Sequence, residues 1–257
     1  SSEIAFRVKF ADGRIPPHHE RYWRGIVLSS YDGKTWRRDD APPDTQANIS
    51  YSAEAARDGY TYDVTLEATN LNWLLALEYP QQFDGRYRFS REASLFQKDK
   101  INNVISYRVT SADGINRSLF EQESIKYRTL PAGLNPATAD LARKLIEEAD
   151  HQAGTYVRAV LNYFVEQAFV YTLRPDLLGE HAMDDFLLQT RRGFCEHYAS
   201  AFVYMMRLAG IPARVVIGYQ GGTMNPLDDY MIIRQSDAHA WAEVWLGGRW
   251  QRVDPTA

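Results

Sequence analysis

Apolar and polar positions alternate along much of the first half of the chain. Ile4, Phe6, Val8 and Phe10 fall at every second position, as do Tyr60, Tyr62, Val64 and Leu66, and later Ile105, Tyr107 and Val109. Period-two patterning turns one side of an extended chain toward a core, so these runs predict half-buried strands. Turn-forming pairs separate them at Asp12-Gly13, Asp32-Gly33, Asp84-Gly85 and Asp113-Gly114. The stretch 37–47 carries two prolines among aspartates and arginines and predicts a loop. Short strands at this spacing suggest a sandwich or a twisted sheet. Their aromatics keep to the alternation, which favours core over a binding platform.

The period changes after Leu130-Pro131-Ala132-Gly133. Asn135 as cap and Pro136 at the first helical position predict a helix to about Glu148. Val157, Val160, Leu161, Phe164, Val165 and Ala168 recur at helical spacing and predict a second helix over 155–168. A short extended piece (169–173) and one or two turns of helix (183–189) follow. From Tyr198 to Ala209 nearly every residue is apolar, and Gly210 and Pro212 stop the run. A helix apolar on most sides is a buried one. Strands are expected over 213–219 and 230–234, with a loop at 221–229. Two alternating runs joined by Gly247-Gly248 then predict a β-hairpin. Helices followed by an antiparallel sheet make an α+β layout.

A chain of 257 residues suits one large domain or two ordinary ones. We expect a β-rich, sandwich-like domain over 1–128 and a helix-and-sheet domain over 129–257. A net charge of −4, with no basic run longer than two residues, gives no support to nucleic-acid binding. No uncharged apolar run approaches the about 18 residues a membrane-spanning helix needs. The single cysteine excludes an internal disulfide framework. The chain begins Ser1-Ser2 just before a strand and stops three residues after Asp254. It therefore reads as a segment of a longer protein.

That cysteine, Cys195, falls in the first turn of the buried helix. Unpaired backbone N–H groups and the helix dipole favour a thiolate there, although a lone cysteine is also a small core hydrophobe. With Gly247-Gly248 as the loop, Leu246 faces Arg249, Trp245 faces Trp250, Glu243 faces Arg252 and Trp241 faces Asp254. An aromatic pair and a charge pair support that register. His239 is then the diagonal neighbour of Asp254, with Cα atoms roughly 7–8 Å apart. Glu243 is the rival carboxylate, and the register gives it to Arg252. Asp237 is expected to brace the entry to the strand. His197 reads as a packing residue and Glu196 as part of a solvated face. Cys195, His197 and His239 do not have zinc-site spacing, and Asp228-Asp229 with Asn225 offers too few oxygens for calcium.

Cysteine on a helix start, then histidine and aspartate on adjacent strands, is the order of the transglutaminase-like superfamily. GFCEHYASAF (193–202), LAGIPARVVIGY (208–219), DAHAWAEVW (237–245) and WQRVDPTA (250–257) resemble its core motifs. More narrowly they resemble the bacterial membrane-anchored transglutaminase-like proteins, as does YWRGIVLSSYDGKTW (22–36). The resemblance implies a papain-like core in which Cys195 is the nucleophile, His239 the base and Asp254 the orienting carboxylate. It implies no cofactor and no metal. The backbone N–H of Cys195 is the first oxyanion donor, and the resemblance makes Tyr171 the second. The substrates implied are proteins or peptides bearing glutamine, with an amine acceptor, on the periplasmic side of a bacterial inner membrane. A cysteine peptidase or amidase with the same triad, and a binding module without turnover, are the alternatives. An intact Cys195, His239 and Asp254 weighs against the last.

Overall fold

The computed structural model describes residues 1–39, 57–114 and 118–257. Most of the loop expected over 37–47 lies outside them. In chain order the main strands are β1 (Ile4–Phe10), β2 (Tyr22–Leu28), β3 (Tyr60–Leu66), β4 (Ile105–Ser111), β5 (Ala213–Gln220), β6 (Met231–Arg234), β7 (Ala238–Leu246) and β8 (Arg249–Val253). The helices are α1 (Glu121–Lys126), α2 (Pro136–Glu148), α3 (Ala153–Glu166) and α4 (Cys195–Leu208). The fold is α+β, with antiparallel sheets and a largely β first half.

The chain forms two units. One is Ser1–Val27, Asp40–Asn116 and Ile217–His239; the other is Leu28–Asp39, Arg117–Val216 and Ala240–Ala257. A single cut between 128 and 129 is a different division, because it assigns 28–39 and 217–239 to the opposite halves. Strands β5 and β7 carry the chain from one unit to the other.

In the first unit a six-stranded antiparallel sheet runs Thr223–Met224, β6, β1, β3, β4, Pro80–Phe83. Phe6 stands opposite Leu66, Val8 opposite Val64 and Phe10 opposite Tyr62, so the alternating apolar residues share one face. That face is the core, where Phe6, Val8, Tyr62, Val64, Leu66 and Val109 are all buried. Trp23 from β2 meets Phe6 edge-on at 5.4 Å and Tyr62 at 5.7 Å. The opposite face is polar: Asp63 and Arg108 form a two-pronged ion pair at 2.8 Å, and Thr61 bonds Thr110. The aromatics of the strands are core, as their alternation predicts.

In the second unit α2, α3 and α4 pack on one another. Ten residues of α4 are buried, from Cys195 and Tyr198 to Arg207. Each large apolar side chain there contributes about 1.5–3 kcal/mol by leaving water. Arg207 is the buried charge. Its guanidinium donates to the carbonyls of Ser29, Thr129 and Ala213 at 2.7, 2.9 and 3.0 Å and lies 4.9 Å over Trp36. Trp36 in turn donates to Ser200 of α4, so the segment 28–39 is tied to the helix at two points. Asn135 sits at the start of α2 in a left-handed conformation, but its side chain does not cap that helix. It accepts instead from Met183 and Asp184 N–H, while Asp184 accepts from Thr138 N–H at 2.7 Å. The two segments cap each other, an exchange that only the folded chain reveals.

Candidate active site

The approach to Cys195 is a short parallel ladder. Val170 and Tyr171 pair with Arg192 and Gly193, and the chain then passes through extended Phe194 into α4. Glycine is required at 193, because a Cβ there would stand 2.7 Å from Cβ and Cγ of His197. Cys195 is the first residue of α4 and is 7% exposed. Beneath the helix start, Tyr198 is ringed by Phe164, Phe169 and Phe186 at 5.4–5.9 Å between centroids. Tyr171 stacks on its outer side at 6.2 Å. Aromatic packing of this kind fixes the helix start, whose N-cap residue, Phe194, has no polar side chain to cap it.

Tyr171 turns its hydroxyl toward the cysteine. Burial, and then the charge of Cys195, hold its phenol above the ordinary value. A hydrogen bond from the Cys195 backbone opposes that rise, and Asp254 adds to it. The Tyr171 hydroxyl therefore lies close to the Cys195 N–H and thiol and within reach of the Asp254 charge.

The hairpin has the expected register: Leu246 faces Arg249, Trp245 faces Trp250 and Glu243 faces Arg252, ending at Ala242 and Val253. Trp241 and Asp254 are the next residues along the two segments, and Asp254 lies just past the end of β8. The Asp254 carboxylate accepts from the backbone and the hydroxyl of Thr256 at 3.0 and 2.7 Å, which fixes its orientation just past β8. His239 is the second residue of β7 and half-buried, 6.3 Å from the ring of Tyr22. Asp237 accepts from Arg234 N–H at 2.8 Å and so braces the turn before β7.

Glu243 differs from its sequence reading. It is fully buried and binds Arg214 at 2.8 Å. Arg214 lies 3.8 Å over Trp250 and donates to Tyr127 at 3.2 Å. The register alone pointed to Arg252, because Arg214 comes from a strand outside the hairpin. A core arginine has no periodicity signal of its own. Among the described residues, no three His, Cys, Asp or Glu side chains gather as a metal site.

In the second unit a cysteine opens the buried helix α4, with Tyr171 beside its approach and Asp254 just past β8. Residues 139–255 match the transglutaminase-like superfamily, and the chain belongs to that superfamily. Residues 1–115 match the TgpA N-terminal domain. The chain is similar over its whole length to the crystal structure of the periplasmic domain of TgpA from Pseudomonas aeruginosa, with 37% identity and a TM-score of 0.92, covering 88% of that chain. It is likewise 37% identical to a protein-glutamine gamma-glutamyltransferase of P. aeruginosa, over all of this chain and 38% of that protein. Half of this chain is 39% identical to the kyphoscoliosis peptidase of Homo sapiens, of which it covers 18%. The chain thus spans well under half of these curated relatives. The resemblance read from its motifs is borne out.

Proposed function

We propose that the chain is a thiol acyltransferase acting on glutamine side-chain amides of proteins or peptides. Cys195 is the nucleophile, His239 the base and Asp254 the carboxylate that orients it. The observation that carries the reading is Cys195 as the first, buried residue of α4, with the Tyr171 hydroxyl beside it. His239 takes the thiol proton, and the thiolate attacks the side-chain carbonyl carbon. The oxygen gains negative charge between the Cys195 N–H and the Tyr171 hydroxyl. Imidazolium returns its proton to nitrogen as the C–N bond breaks, and ammonia leaves a thioester. An amine then attacks the thioester carbonyl, loses its proton to His239 and releases Cys195.

The name of the P. aeruginosa relative supports glutamine as donor. Water in place of the amine would give a glutamate, and attack on a main-chain amide would give a peptidase, the second reading that the human relative's name favours. Mass spectrometry of a glutamine peptide, with and without a primary amine, separates these outcomes. Addition of the amine is expected, and its absence in Cys195→Ala. Cleavage of the peptide, or no change with intact wild-type protein, would sink the proposal.

We place this segment on the periplasmic side of the inner membrane, as part of a membrane-anchored chain. The likeness to a periplasmic domain supports this. Among the described residues no helix is long and apolar enough to cross a membrane. A reporter fused at this segment is expected to be active only outside the cytoplasm.

A further inference from the structure

We propose that His197 is a positioning residue for Cys195, a neutral imidazole that clamps the peptide entering α4 and so aims the Cys195 N–H. The inference rests on the reading of Cys195 as nucleophile. His197 is the third residue of α4 and holds Phe194 from both sides. Its backbone N–H donates to the Phe194 carbonyl at 2.9 Å, and its Nδ1 accepts the Phe194 N–H at 3.3 Å. The Phe194 carbonyl and the Cys195 N–H belong to one trans peptide plane and point in opposite directions. The His197 and Tyr198 backbone N–H groups hold that carbonyl at 2.9 and 3.3 Å, and the imidazole adds the hold on the Phe194 N–H in the peptide before it. With the peptides on both sides of Phe194 fixed, the Cys195 N–H is fixed with them.

The imidazole has little room to move. The Phe194 ring meets it edge-on at 4.5 Å, Phe186 lies at 5.6 Å, and Gly193 presses on it so closely that no side chain fits there. Accepting at Nδ1 puts the ring proton on Nε2 and requires the neutral form. Burial favours that form, holding the pKa below the ordinary histidine value. Helices that reach back this way usually carry glutamate or glutamine at the third position. A neutral group serves better here, since a carboxylate two residues past the nucleophile would repel a thiolate.

Two substitutions separate clamping from packing. His197→Phe keeps a planar ring and removes the acceptor. His197→Gln keeps a neutral acceptor and removes the ring. Steady-state transfer of an amine to a glutamine peptide is measured with thermal unfolding, and alkylation of Cys195 by iodoacetamide is followed separately. His197→Phe is expected to lower kcat about a hundredfold, as displacement of a reacting group by about 1 Å does, with KM little changed and alkylation slowed. His197→Gln is expected to recover most of kcat and of the alkylation rate, even where it unfolds at lower temperature. Wild-type kcat in His197→Phe, or activity that follows melting temperature across both variants, would overturn the proposal. Alkylation reads the thiol without any substrate. A wild-type protein that fails to transfer yet alkylates in this clamp-dependent order would refute the acyltransferase reading and leave the clamp standing.

Discussion

Glu243→Gln tests the buried ion pair at the base of the hairpin. Arg214 and Glu243 are 1% and 0% exposed, and their closest atoms stand 2.8 Å apart. At an effective dielectric of about 20 that separation gives an attraction of about 6 kcal/mol, which desolvation of both charges largely offsets. The pair contributes little net stability, yet removing one partner leaves the other charge buried. Losses of about 3–5 kcal/mol follow from that kind of break. Gln keeps an oxygen for the Arg214 Nε–H, so the lower part of the range is expected, about 3–4 kcal/mol. For a chain of this size that is a fall of about 6–16 °C in Tm. Urea unfolding followed by tryptophan fluorescence is a suitable assay, because Trp250 stacks on the guanidinium. The double variant Arg214→Met with Glu243→Leu is expected to recover most of the loss. A Glu243→Gln cost below about 1 kcal/mol, or a double variant worse than either single one, would refute the reasoning.

Asp254→Asn is expected to leave folding nearly intact and lower turnover by about 10³–10⁴, whereas Asp237→Asn should change turnover little; steady-state kinetics on a glutamine peptide compares them. Arg207→Lys cannot serve three carbonyls with the same fork and should cost about 2–3 kcal/mol, read by urea unfolding, with the segment 28–39 losing hydrogen-exchange protection first. His197 is held neutral by burial, so its folded pKa lies below its unfolded value of about 6.5. The unfolded chain then takes up a proton first as pH falls, and stability present above about pH 6.5 declines below it. Melting curves from pH 7.5 to 5.5 check this, and His197→Gln should flatten that slope.

Much of the fold was legible in the sequence because it rests on local periodicity. The alternation at Ile4–Phe10 and Tyr60–Leu66 marks strands that bury those same residues. The apolar run after Cys195 marks the buried helix, and Gly247-Gly248 sets a register that the structure reproduces from Leu246 and Arg249 to Ala242 and Val253. What the sequence hid depends on partners far apart in the chain. Asn135 and Asp184 look like ordinary capping residues, yet each serves the other's helix start. Arg207 and Arg214 stand in apolar segments with no local signal of a partner, and only packing shows that backbone carbonyls and Glu243 receive them. His197 does carry a local signal. A residue with a side-chain acceptor at the third helical position, behind an extended aromatic, is where a helix start reaches back on itself.

The place of β1 in its sheet bears on how the chain is made. This strand precedes every other described strand of its sheet, and one of its two neighbours is β6, where Ile4 stands opposite Arg234. A ribosome delivers residues in order, so until β6 emerges β1 keeps one row of N–H and C=O groups unmatched. An open edge of that kind invites pairing with other chains. The helices of the second unit lie close together in sequence and are complete well before the sheet can close. A stop or a cut anywhere before Met231 therefore damages the first strand without touching it, by taking away the neighbour that would have shielded its edge.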